Sequence, residues 1–118
     1  HMGSRVTQDR RVIGYVLEEV DRQGYYFVDS ATSPTSVAYD VSVAMGIPSA
    51  RNVGFVDLET DADAIEHRLR QLAMRARQSG TAVGIAHARS ETRDVLARVI
   101  PDLAAEGFEF VTAAEAVR

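Results

Sequence analysis

Three short apolar runs in this chain each end in polar side chains that can do chemistry. The first run ends in Asp29 and Ser30, the second in Asp57 and the third in His87. Carboxylates and an imidazole can bind a metal ion, exchange protons or contact substrate hydroxyls. We therefore predict a functional rim at these strand ends, in which His87 is a metal ligand or a general acid.

The elements that must position these residues follow from the hydrophobic pattern. Helical patterns separate the apolar runs, and short buried strands that alternate with helices are typical of a parallel sheet, whose ligand sites lie at the carboxyl ends of its strands. The predicted fold class is α/β with alternating βα units, in one domain over residues 1–118. The predicted strands are 25–28, 53–56, 81–86 and 108–111, and the predicted helices are 9–23, 36–45, 61–79, 90–106 and 113–118.

Local signals support several of these boundaries. Gly24 follows the first helix as a C′ glycine, and Asp61 is placed to cap the longest helix. Ser90 is predicted to cap the next helix, which Pro101 is expected to bend or interrupt.

The composition excludes several classes of function. The net charge of −4 argues against a nucleic-acid partner, because such proteins usually carry basic surfaces. Cysteine is absent, which excludes disulfides, thiolate catalysis and cysteine-ligated zinc. All 13 basic residues are arginine, so a Walker A loop and Schiff-base chemistry are excluded as well. No apolar run approaches the roughly 20 residues that cross a bilayer, and we find no targeting signal.

Several segments resemble, in order along the chain, the motifs of the divergent polysaccharide deacetylases. Residues 24–30, Gly-Tyr-Tyr-Phe-Val-Asp-Ser, are similar to the family's G-L-Y-F-[LV]-D-S, and residues 80–87 with Glu91 and Thr92 are similar to its G-x-A-I-x-I-G-H-P…E-T. The remaining matches are residues 1–7, 32–36 (with altered spacing), 46–48 and 53–57. Residues 1–4 also match what cloning sites commonly leave at an amino terminus, so both interpretations of them stay open.

The resemblance implies a fold and a chemistry. The family fold is an irregular seven-stranded (β/α) barrel, and the matched motifs belong to its carboxyl-terminal half. In the related esterases, one Asp and two His hold a divalent metal such as zinc, which activates water against an N-acetyl group. The family's Asp-Asp segment and first histidine motif would lie upstream, and Ala86 and Ala88 replace the Gly and Pro beside its histidine. We therefore expect an incomplete or inactive deacetylase-like domain that holds no metal as this chain alone.

The residues at the strand ends receive the following assignments. His87 and Asp29 are predicted to be catalytic, Ser30, Asp57 and Tyr26 to bind substrate, and His87 and His1 to bind a metal. For Asp29 an Asx-turn or helix-capping role is the alternative, and for Asp57 a solvated acidic loop. Of the adjacent Tyr25 and Tyr26, one is expected in the core, and His67 is expected on the surface.

Partners and location follow from the resemblance and from the half-barrel. A polysaccharide or a peptidoglycan-type glycan is the implied ligand, with a periplasmic or extracytoplasmic location. Half a barrel leaves sheet edges and an apolar face open, so a homodimer, or pairing with the missing amino-terminal half, is predicted. The alternative function is a non-catalytic α/β module for binding or protein interaction.

Overall fold

Helices and strands alternate along the chain in the protein's structure, a computed structural model that describes residues 3–117. The strands form a parallel sheet in the order β1-β2-β3, which confirms the predicted fold class. The strands are β1 (Phe27–Asp29), β2 (Ser49–Phe55) and β3 (Val83–Ile85). The helices are α1 (Ser4–Thr7), α2 (Arg10–Arg22), α3 (Ala38–Ala44), α4 (Ala62–Ser79), α5 (Ser90–Ala105) and α6 (Ala113–Ala116).

The described chain divides into two compact units, each with its own apolar core. The first contains the described residues up to Arg51 and those from Ala113 onward, and the second is Asn52–Thr112. Buried residues of the first core are Ile13, Leu17, Ala38 and Ile47. Buried residues of the second core are Val56, Ile65, Leu69, Ala73, Val95, Val99 and Leu103. The single domain expected over residues 1–118 stays a prediction.

The predicted helix ends at Gly24 and Asp61 are confirmed. Gly24 follows α2 with a φ of 69°, a left-handed conformation that glycine adopts without a steric penalty. Asp61 caps α4 by accepting a hydrogen bond from the Ala64 N–H at 2.9 Å. None of the helices found between residues 3 and 117 is long and apolar enough to cross a membrane.

Strand β2 begins four residues earlier than the predicted strand 53–56. Its first half is defined by backbone pairing with β1, which an apolar sequence pattern does not reveal. Phe27, Val28 and Asp29 of β1 lie opposite Ser49, Ala50 and Arg51 of β2. Its second half pairs with β3 and contains a register irregularity between Asn52 and Gly54. There the Asn52 side chain accepts a hydrogen bond from the Gly54 N–H at 2.9 Å.

Helix α5 differs from its prediction in two ways. Its N-cap is Arg89, which makes no side-chain capping bond, so the predicted capping role of Ser90 is wrong. The Ser90 hydroxyl instead donates to the Glu91 carboxylate. Pro101 lies inside α5 without interrupting it. Buried Val99 and Leu103 flank this position in the core, and their packing outweighs the lost backbone donor.

The prediction of a fourth strand at residues 108–111 is wrong. The motif that ends α5 uses the Phe108 N–H, the backbone donor at the start of that predicted strand. Gly107 and Phe108 donate backbone hydrogen bonds to Ala104 and Leu103, the pattern of a Schellman motif. The Phe108 side chain packs against the second core, and the Arg77 guanidinium lies 4.7 Å from its ring centroid. Phe110 and Val111 are exposed. The described chain therefore has three strands.

Gly84 in β3 is expected to be intolerant of a side chain. A Cβ at this position would overlap the Leu72 side chain and lie 3.2 Å from the Gly54 carbonyl oxygen. Gly84→Ala should lower the free energy of unfolding by about 1–3 kcal/mol, because a packed core resists added volume. Gly54→Ala is the matched control: its Cβ would meet nothing within 4 Å. Urea denaturation measures both, and equal stability of the two variants would contradict this packing.

Candidate functional site

The pairing of β2 with β3 brings two predicted site residues to one place. Beyond the last residue of β2, the Val56 N–H donates to the Ile85 carbonyl at 2.9 Å and extends the contact between the two segments. Asp57 follows Val56 directly, and His87 follows Ile85 by two residues. Carboxyl ends of neighbouring parallel strands lie side by side, which is why residues 30 positions apart can meet.

Asp57 and His87 are in direct contact. Asp57 Oδ1 lies 3.0 Å from His87 Nδ1, and Asp57 Oδ2 accepts from the His87 backbone N–H at 2.7 Å. The Asp57 side chain is fully buried, whereas 55 % of the His87 side chain is exposed. The sheet therefore holds an accessible imidazole on a carboxylate that solvent does not reach.

The protonation of the pair follows from its contacts. Burial alone would raise the pKa of Asp57, but hydrogen bonds from the His87 ring, the Thr92 hydroxyl and the His87 N–H together hold this pKa below its usual range. An ionised carboxylate only accepts hydrogen bonds, so His87 Nδ1 carries a proton. Nε2 is then the ring nitrogen that can exchange a proton or bind a ligand.

Two further residues of this site were not predicted as site residues. Thr92, buried in the first turn of α5, donates its hydroxyl to Asp57 Oδ2 at 2.7 Å. Arg89 Nη1 donates to the Asp57 carbonyl oxygen at 3.1 Å. The available signal was the position of Thr92 in the E-T motif that follows the histidine. Three residues of the segment 87–92 therefore donate hydrogen bonds to Asp57: His87, Arg89 and Thr92.

Asp29 lies in the first unit and has its own set of partners. Its Oδ1 accepts from the Ala31 N–H at 2.9 Å, and its Oδ2 accepts from the Ser36 hydroxyl at 2.8 Å and the Tyr39 N–H at 3.3 Å. Ala31 has a φ of 47°, a left-handed conformation that this contact helps to hold. These are the contacts of the Asx-turn and helix-capping interpretation. A catalytic role for Asp29 stays a prediction.

The remaining predicted residues are placed as follows. Ser30 is half-buried at the end of β1. Tyr25 and Tyr26 are both exposed, so the prediction that one of them lies in the core is wrong. Strand β1 begins only at Phe27, so both tyrosines precede the sheet. His67 is on the surface of α4 as expected and lies 3.0 Å from the Gln71 amide. His1 lies outside the described residues.

The donor groups do not make up a metal site by themselves. Over residues 3–117, no group of three or more His, Cys, Asp or Glu residues is arranged to hold a metal ion. The Asp57 carboxylate is bonded to His87 and Thr92, and the Asp29 carboxylate is bonded to the loop that follows it and to the first turn of α3. His87 offers one imidazole nitrogen, fewer than the three protein ligands of catalytic zinc sites. We therefore assign no chemical step to a metal.

The fold and the site define a parallel α/β protein with a carboxylate–imidazole pair at the ends of neighbouring strands. Comparison with known families identifies its relatives. The family described as divergent polysaccharide deacetylase matches residues 1–117. The chain belongs to this family, as the sequence motifs predicted.

The similar proteins are themselves uncharacterized. An uncharacterized protein of Haemophilus influenzae is 29 % identical over 81 % of this chain and 34 % of its own length. The uncharacterized protein YibQ of Escherichia coli is 25 % identical over 87 % of this chain and 32 % of its own length. The chain thus spans about a third of the length of the curated relatives that it matches.

A solved structure has the same fold. The crystal structure of uncharacterized protein ATU2773 from Agrobacterium tumefaciens C58 matches with a TM-score of 0.92. The match covers 98 % of this chain and 47 % of that chain, with 23 % sequence identity. At this identity the likeness shows the fold alone, and the seven-stranded barrel expected for the whole family domain stays a prediction.

Proposed function

We propose that this chain supplies the proton-transfer half of a polysaccharide deacetylase site, with His87 as the general acid and Asp57 as its positioning residue. The observation that carries the proposal is the pair itself, a buried ionised carboxylate bonded to Nδ1 of an accessible imidazole. Family membership supports the reaction class, hydrolysis of an acetyl group on a polysaccharide.

The chemistry of the pair suits the breakdown of a tetrahedral intermediate. When water adds to an acetamide carbonyl, collapse of the intermediate requires a proton on the departing nitrogen. His87 can give that proton from Nε2, because Nδ1 is held by Asp57 Oδ1. The buried charge of Asp57 compensates the positive charge of the ring while Nε2 holds its proton. Asp57 thereby acts through His87, in place of the direct substrate contact that its type and position predicted.

The substrate and location are proposed from family membership. An N-acetylated glycan of the cell envelope, of the peptidoglycan type, fits the family description, and an extracytoplasmic location goes with it. Ser30 and Tyr26 stay proposed substrate contacts, since Tyr26 is exposed and Ser30 half-buried beside β1. A divalent metal, if the enzyme uses one, would activate the attacking water, and the described residues do not supply its full ligand set.

Acetate release tests this proposal. The complete gene product, incubated with N-acetylglucosamine oligomers and with peptidoglycan fragments in the presence of Zn²⁺, should release acetate. Residues 1–118 alone should release none, because three protein ligands are needed for a catalytic zinc site and residues 3–117 do not provide them. Glycan binding by the complete protein without acetate release would favour the alternative, a non-catalytic binding module. Release by residues 1–118 that is lost in His87→Ala would contradict the expected need for further metal ligands, and release that does not require His87 would contradict the proposed role of His87.

We also propose that residues 1–118 form a homodimer. Helix α2 and the segment before β1 expose Val12, Tyr15, Val16, Tyr25 and Tyr26, and Tyr25 alone is 64 % exposed. Within the described sheet β1 is an edge strand. Exposed apolar residues and edge strands are each typical of interfaces.

Light scattering coupled to size exclusion measures the assembly. Residues 1–118 should elute with twice the chain mass of 12.9 kDa at micromolar concentration. Val16→Glu should dissociate the dimer, because a buried unpaired carboxylate opposes association. Met74→Glu is the control, since Met74 is similarly exposed but lies on α4. A mass near 12.9 kDa for the unaltered chain would contradict the homodimer.

A further inference from the structure

The buried hydroxyl of Thr92 has a specific partner that lies far away in the sequence. Thr92 is 1 % exposed, and its Oγ1 lies 2.7 Å from Asp57 Oδ2, across a separation of 35 residues. A threonine in the first turn of a helix often bonds to its own backbone. The bond found for Thr92 runs instead to the carboxylate beneath His87.

The two carboxylate oxygens of Asp57 have different hydrogen-bond partners. Oδ2 accepts from the Thr92 hydroxyl and from the His87 N–H, both at 2.7 Å. Oδ1 then faces the His87 ring, with Nδ1 at 3.0 Å. Two donors on Oδ2 fix the rotation of the carboxylate, so that Oδ1 is the oxygen presented to the imidazole.

We propose that Thr92 is a positioning residue, whose hydroxyl locks the Asp57 carboxylate so that His87 is held as the Nδ1–H tautomer with Nε2 left for chemistry. The catalytic meaning of this inference rests on the proposed function. Its structural content does not, because the tautomer of His87 can be measured without any substrate.

The test compares three variants at Thr92 with a matched control. Thr92→Val keeps the shape and removes the hydroxyl, Thr92→Ser keeps the hydroxyl, and Thr92→Ala removes both hydroxyl and methyl. The control is Thr81→Val, because Thr81 is exposed and precedes β3. Long-range ¹H–¹⁵N spectra, recorded well above the ordinary histidine pKa of about 6.5, report which ring nitrogen carries the proton. His67→Gln identifies which signals belong to His67.

The expected spectra separate positioning from simple packing. Wild type, Thr92→Ser and Thr81→Val should show the Nδ1–H tautomer of His87. Thr92→Val and Thr92→Ala should raise the ratio of the Nε2–H to the Nδ1–H form at least about fivefold, as loss of one hydrogen bond to a charged group permits. Unchanged tautomer populations in a folded Thr92→Val or Thr92→Ala variant would overturn the proposal. If neither variant folds, the Nε2–H form in wild type or in Thr92→Ser would overturn it.

Activity of the complete gene product separates this inference from the proposed function. Thr92→Val should lower kcat about tenfold with little change in KM, and Thr92→Ser should restore it, because the hydroxyl acts through the general acid. A tautomer shift with unchanged kcat would contradict the proposed role of His87 while leaving Thr92 as the residue that positions it. Loss of kcat in Thr92→Val without a tautomer shift would overturn the positioning role.

Discussion

Replacing His87 by alanine is expected to lower kcat for acetate release by the complete gene product by about 10²–10⁴-fold, the usual contribution of a general acid. The reason is that Nε2 of His87 would no longer supply a proton to the departing nitrogen. KM should change little, because the proton is transferred only as the intermediate collapses. Initial rates of acetate release over a range of glycan concentrations separate the two constants.

His67→Ala is the matched control for this experiment. His67 is an exposed histidine on α4, and its ring contacts the Gln71 amide rather than a buried carboxylate. Its loss should leave kcat and KM unchanged. If both histidine variants retain the wild-type kcat, His87 is not the general acid.

Truncation of Asp57 is expected to be the most destabilising change at the site. Asp57→Ala removes the acceptor of the Thr92 hydroxyl and of the His87 N–H and leaves buried donors unpaired. The free energy of unfolding should fall by about 2–4 kcal/mol. Asp57→Asn should be milder, because the amide oxygen can still accept from Thr92 while the ring adopts its other tautomer. Its kcat should nevertheless fall strongly, because the neutral amide carries no charge to compensate the positive ring from which Nε2 gives its proton.

The same carboxylate predicts a dependence of stability on pH. Because the pKa of Asp57 is lower in the folded chain than in the unfolded one, its ionised form stabilises the fold above the unfolded value of about 3.9. That contribution is lost as the pH falls below this value and through the folded pKa. In Asp57→Asn this contribution is absent at every pH, so its free energy of unfolding should fall less in acid than that of the wild type. Urea denaturation of both proteins from neutral pH into this acid range measures the difference.

Comparison of the two proteins is essential, because other carboxylates also respond to acid. Hydrogen bonds from Arg70 and Arg98 lower the pKa of Glu66, which lies on the surface of α4. Its effect should be the same in wild type and in Asp57→Asn. A constant difference in unfolding free energy between the two proteins at every pH would contradict the assignment of a lowered pKa to Asp57.

The sequence by itself determined the elements and the family. Apolar periodicity, the C′ glycine at position 24 and the cap at Asp61 are local signals, so α2 and α4 could be placed from the residues alone. The alternation of strands and helices implied a parallel sheet, which put Asp57 and His87 at its carboxyl edge. The matched motifs led to the same family as the comparison over residues 1–117.

Only the tertiary structure decided which of these residues contact one another. The sequence predicted Asp57 to bind substrate, with a solvated acidic loop as the alternative. In the structure its side chain is buried and bonded to His87 and Thr92, which lie 30 and 35 positions away. The strand expected at 108–111 fails for a related reason. The Phe108 N–H donates to a carbonyl at the end of α5, and the Phe108 side chain packs against the second core. Hydrophobic pattern shows which residues seek burial, whereas hydrogen-bond partners depend on segments that meet only in the fold.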